Sequence, residues 1–167
     1  DSVGNNGITT LANGNYVVDS ALWNGNRGAV TWGSGTSGVS GTVSSANSLV
    51  GSNANDSVGN RGITTLANGN YVVDSANWNG NIGAVTWGSG TSGVSGVVSS
   101  ANSLVGSNAN DDVGNRGITT LANGNYVVDS ARWNGNMGAV TWGSGTSGVS
   151  GTVSSANSLV GSTANDS

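Results

Sequence analysis

Short runs of β-branched and other apolar residues alternate along this chain with polar segments rich in Gly and Asn. In the first 55 residues, the clearest apolar runs are 8–11, 16–18 and 29–32. Asn-Gly pairs follow the first and second of these regions, and Asn-Gly is the strongest short signal for a turn between two strands. The pattern therefore predicts a meander of short antiparallel strands.

A fourth strand is predicted in the more polar segment 39–50, which follows a Gly-Ser-Gly-Thr-Ser-Gly turn at 33–38 and carries Val43, Leu49 and Val50. Helix is not expected, because no stretch keeps a 3.6-residue apolar period and Gly recurs every few residues. The run 16–18 is continuously apolar rather than alternating, which is typical of a sheet covered on both faces.

The same 55-residue pattern is written three times. We divide the chain into repeats at 1–55, 56–110 and 111–167, which differ at only six equivalent positions. A period of this length predicts an array of small units, each of which buries its faces against the next unit.

The second repeat resembles the FG-GAP blade of integrin-type β-propellers. The similar segments are Asp56 to Gly59, a hairpin at 62–73 and a Gly-Ala-Val strand at 83–87, although Val58 replaces the usual aromatic residue and an Asp-rich calcium loop is missing. The chain is also similar to tandem repeats of bacterial haemagglutinin-like surface proteins. Both resemblances imply an extracellular binding or scaffold role.

The expected fold is therefore all-β: a β-propeller with three four-stranded blades per chain. Propellers close with about four to eight blades, so oligomerisation would have to close the ring. A homodimer with six blades is the favoured assembly, and a nine-bladed trimer is an alternative. The rival architecture is a β-solenoid, in which Asn and Gly turn the corners of stacked coils.

Composition narrows the possible partners. The net charge is −4, from eight Asp and four Arg, and no basic stretch is present to neutralise phosphates, so nucleic acid is not an expected partner. No run approaches the roughly 18 apolar residues of a membrane-spanning helix. The chain contains no His, Cys, Lys or Glu, so a Ser nucleophile would lack its usual base and an enzyme is not expected.

The Asp residues form two repeated sets. Asp1, Asp56, Asp111 and Asp166 lie at the repeat junctions, and Asp19, Asp74 and Asp129 follow the Tyr-Val-Val strand. With nearby Asn residues, each set offers oxygen ligands for calcium, but one carboxylate per site is few for that cation. The alternative is structural: each carboxylate accepts backbone N–H bonds in a turn or at a strand end.

Each repeat also has two Trp residues. Trp32, Trp87 and Trp142 end a strand and are expected to pack between repeats. The others precede an Asn-Gly pair, and together with the second Asp set they form the candidate glycan-binding residues: Trp23, Asp19, Trp78, Asp74, Trp133 and Asp129. The alternative for these rings is that each folds back over its own turn.

The six variable columns include drastic exchanges, which predict solvent-facing positions. They are 2/57/112, 6/61/116, 22/77/132, 27/82/137, 42/97/152 and 53/108/163. Positions 22, 27, 77, 82, 132 and 137 flank the Trp-Asn-Gly-Asn segments, so they form either a recognition edge or an unselected surface. The sequence thus favours a non-enzymatic structural or adhesive module of a secreted or surface protein, with a glycan-binding propeller lectin, one site per repeat, as the alternative.

Overall fold

The structure is a computed structural model that describes residues 1–165. Each repeat contributes short strands and one four-residue helical turn. In repeat 1 these are β1 (Gly7–Thr10), β2 (Tyr16–Ser20), α1 (Trp23–Asn26), β3 (Ala29–Gly33) and β4 (Ser48–Val50). In repeat 2 they are β5 (Gly62–Thr65), β6 (Tyr71–Ser75), α2 (Trp78–Asn81), β7 (Ala84–Gly88), β8 (Gly96–Val97) and β9 (Leu104–Val105). In repeat 3 they are β10 (Gly117–Thr120), β11 (Tyr126–Ser130), α3 (Trp133–Asn136), β12 (Ala139–Gly143), β13 (Gly151–Thr152) and β14 (Leu159–Val160).

The predicted antiparallel meander is confirmed in every repeat. The first strand pairs with the second, the second with the third, and the third with the last strand of the same repeat. The first Asn-Gly pair does form a hairpin, in which Gly14 has a positive φ of 87° and its N–H donates to the Leu11 carbonyl oxygen.

The second Asn-Gly pair produces a helical turn rather than a hairpin loop. Within α1, Asn24 and Gly25 have left-handed φ values of 50° and 68°, so the turn does not continue as a helix. The expectation of essentially no helix is thus met except for these three turns among the described residues. None of them has the length or apolar character of a membrane-spanning helix.

The three sheets are stacked face to face, as the burial of the second strands shows. All five residues of β6 are buried, whereas the first four residues of β2 and of β11 alternate between buried and half-buried in opposite phase. Identical sequences therefore differ in burial, because the first sheet is covered on one face, the third on the other, and the middle sheet on both. Two hydrophobic cores form between the sheets, one around Val30 and Tyr71 and one around Val85 and Tyr126.

One strand of repeat 2 and one of repeat 3 pair with the sheet of the preceding repeat, which was not predicted; we call each of them an exchanged strand. Strand β8 leaves its own sheet and pairs in parallel with β4 of repeat 1, and β13 pairs in parallel with β9 of repeat 2. The segment 39–50 and its equivalents therefore do not form one continuous strand. The sheets are consequently mixed, and each exchanged strand ties one repeat to the one before it.

The stacked sheets do not close into a ring within the described residues. A solenoid would pair each strand in parallel with its equivalent in the next coil. The two parallel pairs among residues 1–165 join non-equivalent strands, so the arrangement does not follow the solenoid pattern.

Candidate functional site at the repeat interfaces

A set of polar contacts, which we call the polar clamp, joins each repeat to the next: side chains of one repeat donate to a glycine carbonyl oxygen of the following repeat. The carbonyl oxygen of Gly90, in repeat 2, accepts hydrogen bonds from Asn13 Nδ2 at 2.8 Å, Asn15 Nδ2 at 2.8 Å and Trp32 Nε1 at 3.0 Å, all in repeat 1. The same clamp joins repeats 2 and 3 through Asn68, Asn70, Trp87 and Gly145. The predicted packing of the strand Trp residues between repeats is thus confirmed for Trp32 and Trp87.

A buried valine near the start of a repeat, which we call the apolar knob, also joins that repeat to the one before it. Val58, near the start of repeat 2, is fully buried against repeat 1, and its N–H donates to the Arg27 carbonyl oxygen at 3.1 Å. Val113 is equally buried, and its N–H donates to the Ile82 carbonyl oxygen at 3.2 Å. The equivalent residue of repeat 1, Val3, is 61% exposed.

The junction carboxylates hold the chain between repeats, as the structural interpretation predicts. Asp56 Oδ2 accepts the backbone N–H groups of Ser52 and Asn53, each at 2.8 Å, and Oδ1 accepts that of Asn79 at 3.0 Å. Asp111 accepts the equivalent three bonds. Of these bonds, Asp1 accepts only that from the helical turn, in which the Asn24 N–H of α1 donates to its Oδ1. Both oxygens of Asp56 are therefore engaged by donors. Asp166 lies outside the described residues.

The second set of carboxyl groups occupies a different environment. Asp19 and Asp74 are buried at the interfaces, and the Oδ1 atom of each has no hydrogen-bond partner within residues 1–165. The Asp74 carboxyl lies so close to Gly114 of the next repeat that a Cβ atom there would come within 2.7 Å of its Oδ1. Among the described residues, neither side chain makes the expected backbone bonds at this strand end, and the following repeat covers both.

Burial raises the pKa of Asp74 to about 7, and the nearby Arg61 charge limits the rise. Burial likewise raises the pKa of Asp19 to about 7, against the lowering effect of the Asn6 side-chain hydrogen bond. No group of three His, Cys, Asp or Glu side chains able to hold a metal ion exists in the described part of the chain.

We expect the free energy of unfolding to fall as the pH rises from about 4 to about 7. The native state binds the Asp74 proton more tightly than the unfolded chain does, so stability is full below the unfolded pKa of 3.8 and decreases up to the native pKa of about 7. The loss is about 4 kcal/mol, since the two pKa values differ by about three units and one unit corresponds to about 1.4 kcal/mol.

Urea unfolding at a series of pH values measures this dependence. Asp74→Asn should make the curve less steep, leaving the part that Asp19 contributes, and should be more stable than the natural chain at pH 7. Val97→Thr is the control, because this exposed position carries Thr in repeats 1 and 3. Parallel pH curves for the natural chain and Asp74→Asn would contradict the prediction.

The hairpin Trp residues do not form open stacking sites in two of the three repeats. Trp78 and Trp133 are each only 8% exposed and belong to the cores between the sheets. These two rings are therefore covered, whereas Trp23 is half-buried, and glycan binding at the hairpin Trp residues stays a prediction. Among the candidate Asp partners, Asp19 and Asp74 are buried, whereas Asp129 is half-buried in the third repeat.

Three of the variable columns meet in a polar groove between repeats 2 and 3. It has a volume of about 430 Å³ and is lined by Arg61, Asn77, Asn81, Asn110, Asp112, Arg132 and Asn136. Arg132 forms an ion pair with Asp112, which is only 7% exposed. This convergence was not predicted from the sequence. One signal for it exists: repeat 3 alone has Asp at the second position of the repeat and Arg at the twenty-second, as Asp112 and Arg132.

By exposure, the six variable columns divide into two classes. Columns 6, 22, 42 and 53 are exposed in every repeat, as predicted. Column 27 is half-buried, and Ile82 and Met137 pack against the two cores. In column 2, Ser57 is half-buried and Asp112 is buried, so the predicted solvent-facing role is wrong at these positions in both columns. Arg27, Ile82 and Met137 all have long flexible or apolar side chains that suit such a boundary.

Comparison with protein families gives one match. A family model described as "Repeat of unknown function (DUF5650)" matches residues 10–60, 65–115 and 120–167. Each matched stretch begins within one repeat, and the first two run past the junction into the next. Comparisons with curated proteins and with solved structures give no match.

Proposed function

We propose that this chain, which belongs to the DUF5650 family of repeats, is a non-enzymatic structural or adhesive module of a secreted or surface protein. The observation that carries the proposal is the duplicated interface. The same polar clamp, buried knob and exchanged strand join repeat 1 to repeat 2 and repeat 2 to repeat 3. A unit that can stack on its own copy without new contacts suits the building of a rigid array.

The side-chain inventory supports a role without catalysis. Proton transfer and nucleophilic catalysis usually need a positioned acid, base or nucleophile with access to substrate. Asp74 has the pKa of such a base, but it is 4% exposed and faces the next repeat. Its perturbed pKa is better explained as a consequence of stacking.

The assembly we propose is a β-propeller closed by self-association. Two chains would supply six sheets and three chains would supply nine. Light scattering gives the answer directly: a mass near twice 16.2 kDa supports the six-bladed homodimer, and three times that mass supports the trimer. The sparse charge and abundance of Gly, Ser, Thr and Asn favour an extracellular setting for such an assembly.

The polar groove favours glycan binding as a second candidate function. Amide groups and guanidinium groups pair with sugar hydroxyls and carboxylates, and the groove offers Asn and Arg side chains in an open site. Its two guanidinium groups favour an acidic sugar. This groove is a second candidate site beside the Trp-centred site predicted from the sequence.

A glycan array that includes uronic acids and sialylated glycans separates the two functions. A scaffold should bind none of them. If the groove binds glycans, the double variant Asp112→Ser, Arg132→Asn should lose at least tenfold in affinity, because it restores the pair found in repeat 2 without leaving Asp112 unpaired. Arg116→Asn, the residue carried at position 6, is the control for removal of one exposed charge.

A further inference from the structure

The two outer faces of the stack carry the two halves of the interface that joins the repeats. We propose that a second copy of this chain docks head to tail, with its first repeat seated on the third repeat of its partner. The inference deepens the proposed scaffold function and rests on it. Three sets of contacts, each seen twice inside the chain, have their unmatched halves on these faces.

The first set is the exchanged strand. Strand β14 is the last strand of its sheet, and no strand among the described residues pairs with its outer edge. Residues 41–42 of repeat 1, which are equivalent to β8 and β13, lie outside any strand. The internal register pairs Leu49 with Gly96 and Val50 with Val97, so Leu159 and Val160 should pair in parallel with residues 41 and 42 of the second copy.

The second set is the apolar knob and the cavity that receives it. An open cavity of about 380 Å³ on the third sheet is lined by Asp129, Ala139, Val140, Leu159 and neighbouring residues. Its equivalents in repeats 1 and 2 are filled by Val58 and Val113, both fully buried. Val3 is the same residue at the start of the chain and is 61% exposed, so it is the group that fits this cavity.

The third set is the polar clamp. Trp142 is 54% exposed on the third sheet, whereas its equivalents Trp32 and Trp87 each donate to a glycine carbonyl oxygen of the next repeat. Asn123 and Asn125 occupy the positions of the other two donors. The acceptor equivalent to Gly90 in the first repeat is Gly35, so its carbonyl oxygen should receive these three donors from the partner.

One rigid docking brings all three sets together, because they are related by the same step that relates one repeat to the next. Apolar exposure is also concentrated on these faces: Ile8 is 67% exposed on the first sheet and Leu159 is 78% exposed on the third. Since the two faces differ, the contact is heterologous, and it produces a ring if the rotation closes and a filament if it does not.

Complementary face variants test the docking. Val3→Asp damages only the first face and Leu159→Arg damages only the last, and both side chains are exposed, so each variant should fold. We expect the natural chain to associate in sedimentation velocity as its concentration rises. Each variant alone should remain at 16.2 kDa, and an equimolar mixture should form a one-to-one complex of about twice that mass and nothing larger. Leu22→Asn, the exposed residue carried by repeat 2, should associate as the natural chain does.

Gly138→Ala provides a second variant of the last face if Leu159→Arg does not fold by circular dichroism. A Cβ at Gly83 would overlap the Val113 nitrogen of the next repeat, whereas at Gly138 the nearest atom is 3.7 Å away. Gly138→Ala should therefore stay monomeric alone, form a one-to-one complex with Val3→Asp, whose last face is intact, and form no complex with Leu159→Arg, whose last face is also damaged.

The outcomes separate this inference from the scaffold proposal. Single variants that still associate would overturn head-to-tail docking alone. A natural chain that stays monomeric at all concentrations would overturn both the docking and the closed propeller, and would leave the stacked scaffold within one chain intact. Association that the variants alter as expected, together with specific binding on the glycan array, would support the docking while removing the purely structural function.

Discussion

Leu104→Ala is expected to lower the free energy of unfolding by about 3–5 kcal/mol, whereas Leu159→Ala lowers it by less than about 0.5 kcal/mol. The two leucines occupy the same position of repeats 2 and 3, but Leu104 is fully buried between sheets and Leu159 is 78% exposed. Removing the buried side chain loses apolar burial and leaves a cavity in the second core. The exposed leucine has little burial to lose.

Urea denaturation at a protein concentration low enough to keep the chain monomeric measures both values. Leu49→Ala, the fully buried equivalent in repeat 1, should behave like Leu104→Ala. Equal losses at Leu104 and Leu159 would show that the second and third repeats are equally covered, which the stacking described above does not allow.

Gly83→Ala is expected to destabilise the chain by about 3 kcal/mol or more, and Gly138→Ala by about 1–2 kcal/mol. Both glycines have left-handed φ values, 81° and 79°, so both substitutions strain the backbone similarly. Only at Gly83 does the added Cβ also overlap the backbone nitrogen of Val113, which must come close to donate its hydrogen bond across the interface.

The difference between these two variants isolates the contact between repeats from backbone strain. Thermal unfolding followed by circular dichroism and by Trp fluorescence should show a lower midpoint for Gly83→Ala by both probes. If the two variants melt together, the approach of Val113 to Gly83 contributes nothing to stability, and the knob would not be a determinant of stacking.

Much of each repeat could be predicted from the sequence. Asn13 and Gly14 predict a turn between two β-type runs, and the hairpin lies there, because turn formation depends on residues close together in the chain. The packing of Trp32 between repeats also follows from its large ring at the end of an apolar strand. The strand exchange could not be predicted in this way, since Leu49 and Gly96 are 47 positions apart and neither has a local signal for the pairing.

The candidate sites were predicted less well than the strands. Trp78 and Asp74 carry the residue types of a sugar site, but both are buried by stacking, and the polar groove instead unites Arg61 with Asp112 and Arg132. The groove residues come from two repeats and from loops that are separated in sequence. Their proximity therefore depends on how one sheet sits on the next.

The sequence by itself determined the period, the order of the antiparallel strands and the turns between them, because these depend on local backbone preference and on apolar patterning. Only the tertiary structure decided which copy of an identical residue is buried. Val3 and Val58, or Leu104 and Leu159, have nearly the same local sequence and opposite exposure. Burial is a property of the neighbour as much as of the residue, and an identical repeat differs from the next only in what lies against its faces.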